Sequence, residues 1–178
     1  IKVDMETKKA FLIFAAIVLF VTISERLVFV LFPTYLIEKN FTATEIGAVF
    51  SSAAIAIVVL RTAIGRASDK YGRKFMFSAA LLINSLSVSM YPMISKISEF
   101  AIVKSIQDVS NGIKVSVEDS IIADTFNRRL RPAYLISLGK IWPLSRTLGS
   151  AIGIVLTAYF SLAFGFYVAA FSVFVAFL

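Results

Sequence analysis

The sequence predicts an all-α membrane protein of six transmembrane helices with both termini on the cytoplasmic side. Three observations lead there. Hydrophobic residues make up 58% of the 178-residue chain and charged ones only 16%, whereas a soluble domain is nearer ~45–50% apolar and ~25% charged. With 17 phenylalanines, a water-soluble fold of this length would carry large exposed apolar patches. The apolar residues also gather into six runs, most of them near the ~20 residues that cross a ~30 Å hydrocarbon core at about 1.5 Å per residue. Finally, the basic residues alternate in abundance between the segments that join those runs.

The first run, 10–37, is interrupted by Glu25, Arg26 and Pro33. "EKNFTATE" (38–45) reads as a loop in which Thr42 or Thr44 suits the N-cap of the second run, 46–63. "GRASDKYGRK" (65–74) reads as the next loop, followed by a third run at 75–94 and the short connection "SKIS". The fourth run, 98–123, is unusually polar, and "DTFNRRLRPA" separates it from the fifth at 133–159. In that fifth run Gly139, Gly149 and Gly153 invite close helix packing, and Pro143 removes the hydrogen bond to the Gly139 carbonyl. A tight turn at 159–161 leads to the sixth run, 162–178. With the N-terminus inside, the inner segments carry Lys2, Lys8, Lys9, Arg66, Lys70, Arg73, Lys74, Arg128, Arg129 and Arg131, and the outer loops only Lys39 and Lys96. This is a positive-inside asymmetry.

The same reading excludes several function classes. The net charge of +7 and pI near 9.8 come from short clusters between apolar runs, which suit anionic headgroups and topology control rather than nucleic acid. Without Cys or His there is no disulfide, no usual zinc or haem ligand set and no imidazole relay, so neither a metal nor a cofactor is expected. No phosphate-binding glycine loop, HExxH or nucleophile–base pair points to an enzyme. The first run is too long for a signal peptide and has no small-residue cleavage site. The chain opens on Ile1 and stops at Leu178 inside an apolar run, from which a longer parent protein is expected.

Charges inside the runs are unevenly shared. The first run has Glu25 and Arg26; the fourth, beyond Glu99 at its start, has Lys104, Asp108, Lys114, Glu118 and Asp119; the fifth has Lys140 and Arg146. The second has only Arg61, and the third and sixth have none. A charge at mid-bilayer costs about 2.5–3.5 kcal/mol on insertion scales, so these residues belong on a wet or protein-filled interior. Helices one, four and five are therefore expected to line something polar while three and six face lipid. Counting the helical rise puts Glu25, Lys104 and Arg146 in one layer, roughly 20 Å from the inner surface, with Lys114 and Lys140 in a second layer nearer the cytoplasm. Lys104–Asp108 and Lys114–Glu118 are spaced as i,i+4 pairs, whereas neighbours Glu25 and Arg26 point about 100° apart. Glu25, then Asp108, is the best candidate for a carboxylate that exchanges a proton, since burial favours its neutral form and a nearby base its charged form. Arg26, Lys104, Lys114, Lys140 and Arg146 outnumber Glu25, Asp108, Glu118 and Asp119 by one, a lean toward an anionic or zwitterionic solute.

The stretch 65–74 holds more than membrane anchors, because anchoring needs neither Asp69 nor glycines at 65 and 72. "GRASDKYGRK" resembles the signature between helices two and three of the major facilitator superfamily, G-x-L-a-D-r-x-G-r-k. Gly65, Asp69, Lys70, Gly72, Arg73 and Lys74 match and Ala67 departs. "KSIQD" (104–108) is similar to the helix-four R-x-x-q-G element, with Lys104 for Arg, Gln107 retained and Asp108 for Gly. "IIADTF" places Asp124 where the family often has an acid, and "LGSAIG" (148–153) resembles the helix-five G-P-x-x-G element with Ser150 for Pro. The resemblance implies that residues 1–178 form a single domain, the N-terminal six-helix half of a twelve-helix protein with an internal 3+3 inverted repeat. It further implies a charge cluster of Asp69, Arg73 and Asp124 that holds the cytoplasmic side in one conformation. The implied function is secondary active transport of a small solute by alternating access in the cell membrane, coupled to protons or sodium. A second six-helix half, covalent or supplied by another copy, would complete the site. The alternative is a non-transporting sensor or assembly protein that reuses the bundle.

Overall fold

The computed structural model describes residues 5–125 and 131–178, and within them the side chains of all but residues 5–8, 119 and 123–125. The described residues form six α-helices and one 3-10 turn: α1 (Met5–Glu38), α2 (Ala43–Tyr71), α3 (Arg73–Met90), the 3-10 turn (Tyr91–Met93), α4 (Ile97–Thr125), α5 (Arg131–Tyr159) and α6 (Leu162–Phe177).

Local chemistry sets most of the ends. Asn40, at φ 65°, turns the chain out of α1, as the short polar side chain of Asn tolerates the left-handed region. Thr42 caps α2 reciprocally: its hydroxyl accepts from the Glu45 amide at 3.3 Å and its own amide donates to the Glu45 carboxylate at 2.8 Å. Before α4 the Ser95 and Lys96 amides donate to the Glu99 carboxylate, and before α6 the Ser161 hydroxyl accepts from Phe164. Pro33 and Pro143 lie inside α1 and α5 without ending either helix.

The stretch "GRASDKYGRK" is not a loop. α2 continues through Tyr71, and Gly72 alone separates it from α3. Arg, Ala and Lys sustain a helix, and a single internal Gly costs only about 1 kcal/mol relative to Ala. The break falls where the backbone needs it: Gly72 has φ 87° and its amide closes α2 on the Ser68 carbonyl at 3.1 Å. Gly65 makes no close approach to a neighbour, since a Cβ there would meet nothing within 4 Å. α3 also ends earlier than the apolar run, at Met90, where Pro92 favours the 3-10 turn.

Among the described residues, four helical spans are long and apolar enough to cross a membrane: Lys9–Glu38, Ala43–Tyr71, Arg73–Met93 and Arg131–Tyr159. α4 is 29 residues long but carries its charges along the middle, and α6 is 16 residues of almost unbroken apolar sequence. The chain is thus an integral, multi-pass membrane protein. α1 packs along α5 and α6, α4 packs along α2 and α3, and α3 meets α6 to join the two groups. α1 and α4 share no extended seam among the described residues.

Two apolar clusters hold the bundle. One gathers Leu27–Leu36 positions of α1 with Tyr91, Phe100 and Phe166; the other gathers Phe14–Val21 positions with Phe77, Val117, Leu138 and Val173. Between them lies a polar layer. There the Asn84 and Asn111 amides bond α3 to α4, and the hydroxyls of Ser24 and Ser85 donate to the α6 carbonyls of Ala169 and Ala170 at 2.8 and 2.9 Å. Such bonds substitute for the hydrophobic drive that lipid removes.

The glycines of α5 are unequal. A Cβ on Gly149 would stand 2.7 Å from the Ile23 carbonyl oxygen and 2.8 Å from Arg26 Cβ; on Gly153 it would make ordinary contacts with Val30 and Leu27, and on Gly139 none. The expected close packing therefore holds at Gly149 and fails at Gly139. Gly149→Ala forces the α1–α5 seam apart and is expected to cost about 1–3 kcal/mol, lowering the melting temperature followed by size-exclusion chromatography. Gly139→Ala should be neutral or stabilising. Equal melting temperatures for the two variants would contradict the seam.

Candidate functional site

One face of α4 carries Lys104, Gln107, Asp108, Asn111, Lys114 and Glu118, spaced by threes and fours and so aligned along a single helical stripe. Opposite it, α1 presents Glu25 and Arg26. The two faces border an open cavity of about 360 Å³ lined by α1 (Glu25, Arg26, Val28, Phe29, Phe32), α2 (Phe50), α4 (Lys104, Gln107, Asp108, Asn111, Val115) and α5 (Arg146). A second, about 180 Å³, is lined by Thr22, Glu25, Lys114, Val115, Glu118, Trp142 and Arg146. Glu25, Val115 and Arg146 border both. α3 and α6 contribute to neither.

Lys104 is buried and ion-paired with Asp108 on its own helix. Its ammonium also lies 5.7 Å and 5.6 Å from the ring centres of Phe32 and Phe50, a cation–π arrangement that offsets lost hydration. Beside it the buried Tyr91 hydroxyl bonds to Gln107. Lys114 is paired differently from the i,i+4 expectation. Its ammonium is 2.6 Å from Glu25 Oε1 on α1 and 3.9 Å from Glu118 Oε2 on α4. The shorter bond is the long-range one, because α1 faces the buried lysine and brings the Glu25 carboxylate within its reach.

This pairing also revises the layers. Glu25 stands with Lys114 rather than in a separate layer, since the reach of a lysine side chain bridges the rise counted between them. Lys140 is exposed on α5 and borders neither cavity, because its helical phase differs from that of Trp142 and Arg146. α2, to which no cavity role had been given, supplies Phe50, and its Arg61 borders a further groove with Asp108 and Asn111. Sequence reasoning also missed the Asn84–Asn111 bond; the signal was a lone amide in the apolar run of α3.

At the α2–α3 junction, the Arg73 guanidinium donates to the Ser120 carbonyl at 3.1 Å, tying the junction to α4. Asp69, Gly65 and Lys74 are exposed, and Asp69 has no ion pair among the described residues. The side chains of Asp119 and Asp124 lie outside the described residues. No group of three or more His, Cys, Asp or Glu side chains among the described residues could hold a metal ion.

Comparison with known proteins adds a family. A model described as the Major Facilitator Superfamily matches residues 14–178. The chain is 28% identical, over 71% of its length, to an uncharacterized MFS-type transporter of Methanocaldococcus jannaschii, covering 33% of that protein. It is 27% identical over 74% of its length to the efflux pump dotC of Dothistroma septosporum and 26% identical over 67% to multidrug resistance protein 3 of Bacillus subtilis, covering 23% of each. The chain thus spans a third or less of the length of these relatives.

Removing one partner of a buried pair leaves the other charge uncompensated, at a cost of about 3–5 kcal/mol when both are fully buried. Glu25 keeps 30% of its side-chain exposure, so Lys114→Met is expected to cost nearer ~1–3 kcal/mol. A double-mutant cycle with Glu25→Gln should recover part of that loss. Lys140→Met, on an exposed site, should leave the melting temperature within a degree or so. Strict additivity of the Lys114 and Glu25 substitutions would contradict the pair.

Proposed function

The chain belongs to the Major Facilitator Superfamily, and on that premise we propose that it forms one half of a secondary active transporter that couples solute movement to protonation of Glu25. The observation that carries this reading is the shared position of Lys114, held at 2.6 Å by Glu25 and standing 3.9 Å from Glu118. While Glu25 is charged, Lys114 ties α4 to α1. When Glu25 takes up a proton its attraction for the ammonium falls, and Glu118 becomes the stronger partner. The tie between two helices then becomes a tie within one. Because Glu25 borders the larger cavity as well, a solute bound there feels the same change.

The second half supplies the opposite wall, either as a continuation of the chain or as another copy, and the two halves rock about the cavity. The packing pattern supports an internal 3+3 repeat: exchanging α1, α2 and α3 for α4, α5 and α6 turns each major helix pair into another of the set. The bond from Arg73 to α4 supports a role for the 65–74 motif in holding the inner side closed, with Asp69 and Asp124 as its acidic partners. Both termini would then lie in the cytoplasm of a cell whose plasma membrane carries the protein. Two relatives are named an efflux pump and a multidrug resistance protein, which supports outward movement of the solute. Protons are preferred to sodium as the coupling ion because Glu25 is held by an ammonium rather than by a cage of neutral oxygens.

In proteoliposomes of the full-length protein, Glu25→Gln should lower pH-gradient-driven tracer accumulation at least roughly tenfold, the effect of losing about 1.4 kcal/mol of coupling. Exchange of solute for solute should persist. Undiminished accumulation in the variant would remove Glu25 from coupling, and an absence of any solute movement in the unaltered protein would favour a sensor built on the same bundle.

A further inference from the structure

In the charged layer each described carboxylate already has an ammonium: Asp108 is paired with Lys104, and Glu25 and Glu118 share Lys114. The guanidiniums are not so provided. Arg26 and Arg146 both line the 360 Å³ cavity, and neither has a carboxylate partner among the described residues.

The backbone brings these two residues together. α5 approaches α1 closely at Gly149, where a Cβ would lie 2.8 Å from Arg26 Cβ. Arg146 is one helical turn before Gly149 and on the same face. Two guanidiniums on adjoining turns repel each other, and an anion between them converts that repulsion into attraction on both sides. The wall beside them is aromatic: Arg26 stands 5.1 Å from the ring centre of Phe29, and Phe32 and Phe50 complete the same cavity.

We infer that this cavity takes an organic monoanion, a carboxylate or sulfonate with an aromatic or compact apolar body. Arg26 and Arg146 hold the anionic group, and Phe29, Phe32 and Phe50 hold the body. The planar fork of each guanidinium matches two oxygens of such a group. A cationic solute would have to share its carboxylate with a lysine that is already paired there. This inference names the solute class of the proposed transporter and rests on that reading of the cavity.

The test uses the full-length protein in lipid nanodiscs and three probes of one shape: 2-naphthoate, 2-naphthamide and 2-naphthylmethylamine. Titration calorimetry should rank naphthoate at least roughly tenfold tighter than the other two, as expected for charge-assisted bonds. Arg26→Gln and Arg146→Gln should each weaken naphthoate by roughly 10- to 100-fold and leave the amide unchanged, with Arg146→Lys losing less. Phe50→Ala should weaken acid and amide alike. Equal binding of the three probes, or naphthoate binding untouched in both Gln variants, overturns the inference. The ranking on the unaltered protein decides the matter even where a variant fails to fold. Tracer flux separates the two readings. Arginine-dependent naphthoate binding without movement across the membrane keeps the anion site and removes transport. Movement of the amine with no preference for the acid keeps transport and removes the anion site.

Discussion

A charge in the hydrocarbon layer must be answered by another charge or by water, and Lys114 is where this constraint shapes the bundle most. Its ammonium is buried on α4 and answered from α1 by Glu25 and from its own helix by Glu118. Side-chain packing between α1 and α4 is confined to their ends, with Phe32 and Tyr35 on Phe100 and the Phe14–Val21 positions near Val117; between those ends the Lys114–Glu25 pair joins them. That choice leaves a cavity rather than a core between the two helices, and a cavity with ionisable walls is what a solute site requires.

The remaining helices keep this layer in place. Apolar clusters above and below it, one around Tyr91, Phe100 and Phe166 and the other around Phe14, Phe77 and Val173, clamp the ends of α1, α3, α4 and α6. The middle is left to hydroxyls and amides: Ser24 and Ser85 on α6 carbonyls, Asn84 on Asn111. Each of these hydroxyls and amides is bonded within the bundle, so none of them asks the lipid to solvate it. α5 closes the side at Gly149, and the same close approach that fixes its height sets Arg146 beside Arg26. Packing and site chemistry meet at one glycine.

Much of this was legible in the sequence because it follows from periodicity and from the cost of burying charge. The six helices, the polar stripe of α4, the Thr42 cap and the enrichment of charge on α1, α4 and α5 are local or compositional facts. What could not be read were choices of partner. Lys114 has Glu118 at i,i+4 and yet holds Glu25, because which carboxylate lies nearer depends on how two distant helices face each other. Lys140 counts as an intramembrane base by position, but its helical phase turns it outward. The extension of α2 to Tyr71 was hidden by reading a cluster of charges and glycines as a loop, although only Gly72 has a backbone that a helix cannot continue.

The central claim is that Glu25 gains and loses the proton, and that Lys114 feels it. Infrared difference spectroscopy of the full-length protein, stepped between neutral and acidic pH, addresses that carboxylate directly. The account predicts a protonated-carboxyl band that is absent in Glu25→Gln and displaced in frequency in Lys114→Met. The same band at the same frequency in all three proteins would contradict it.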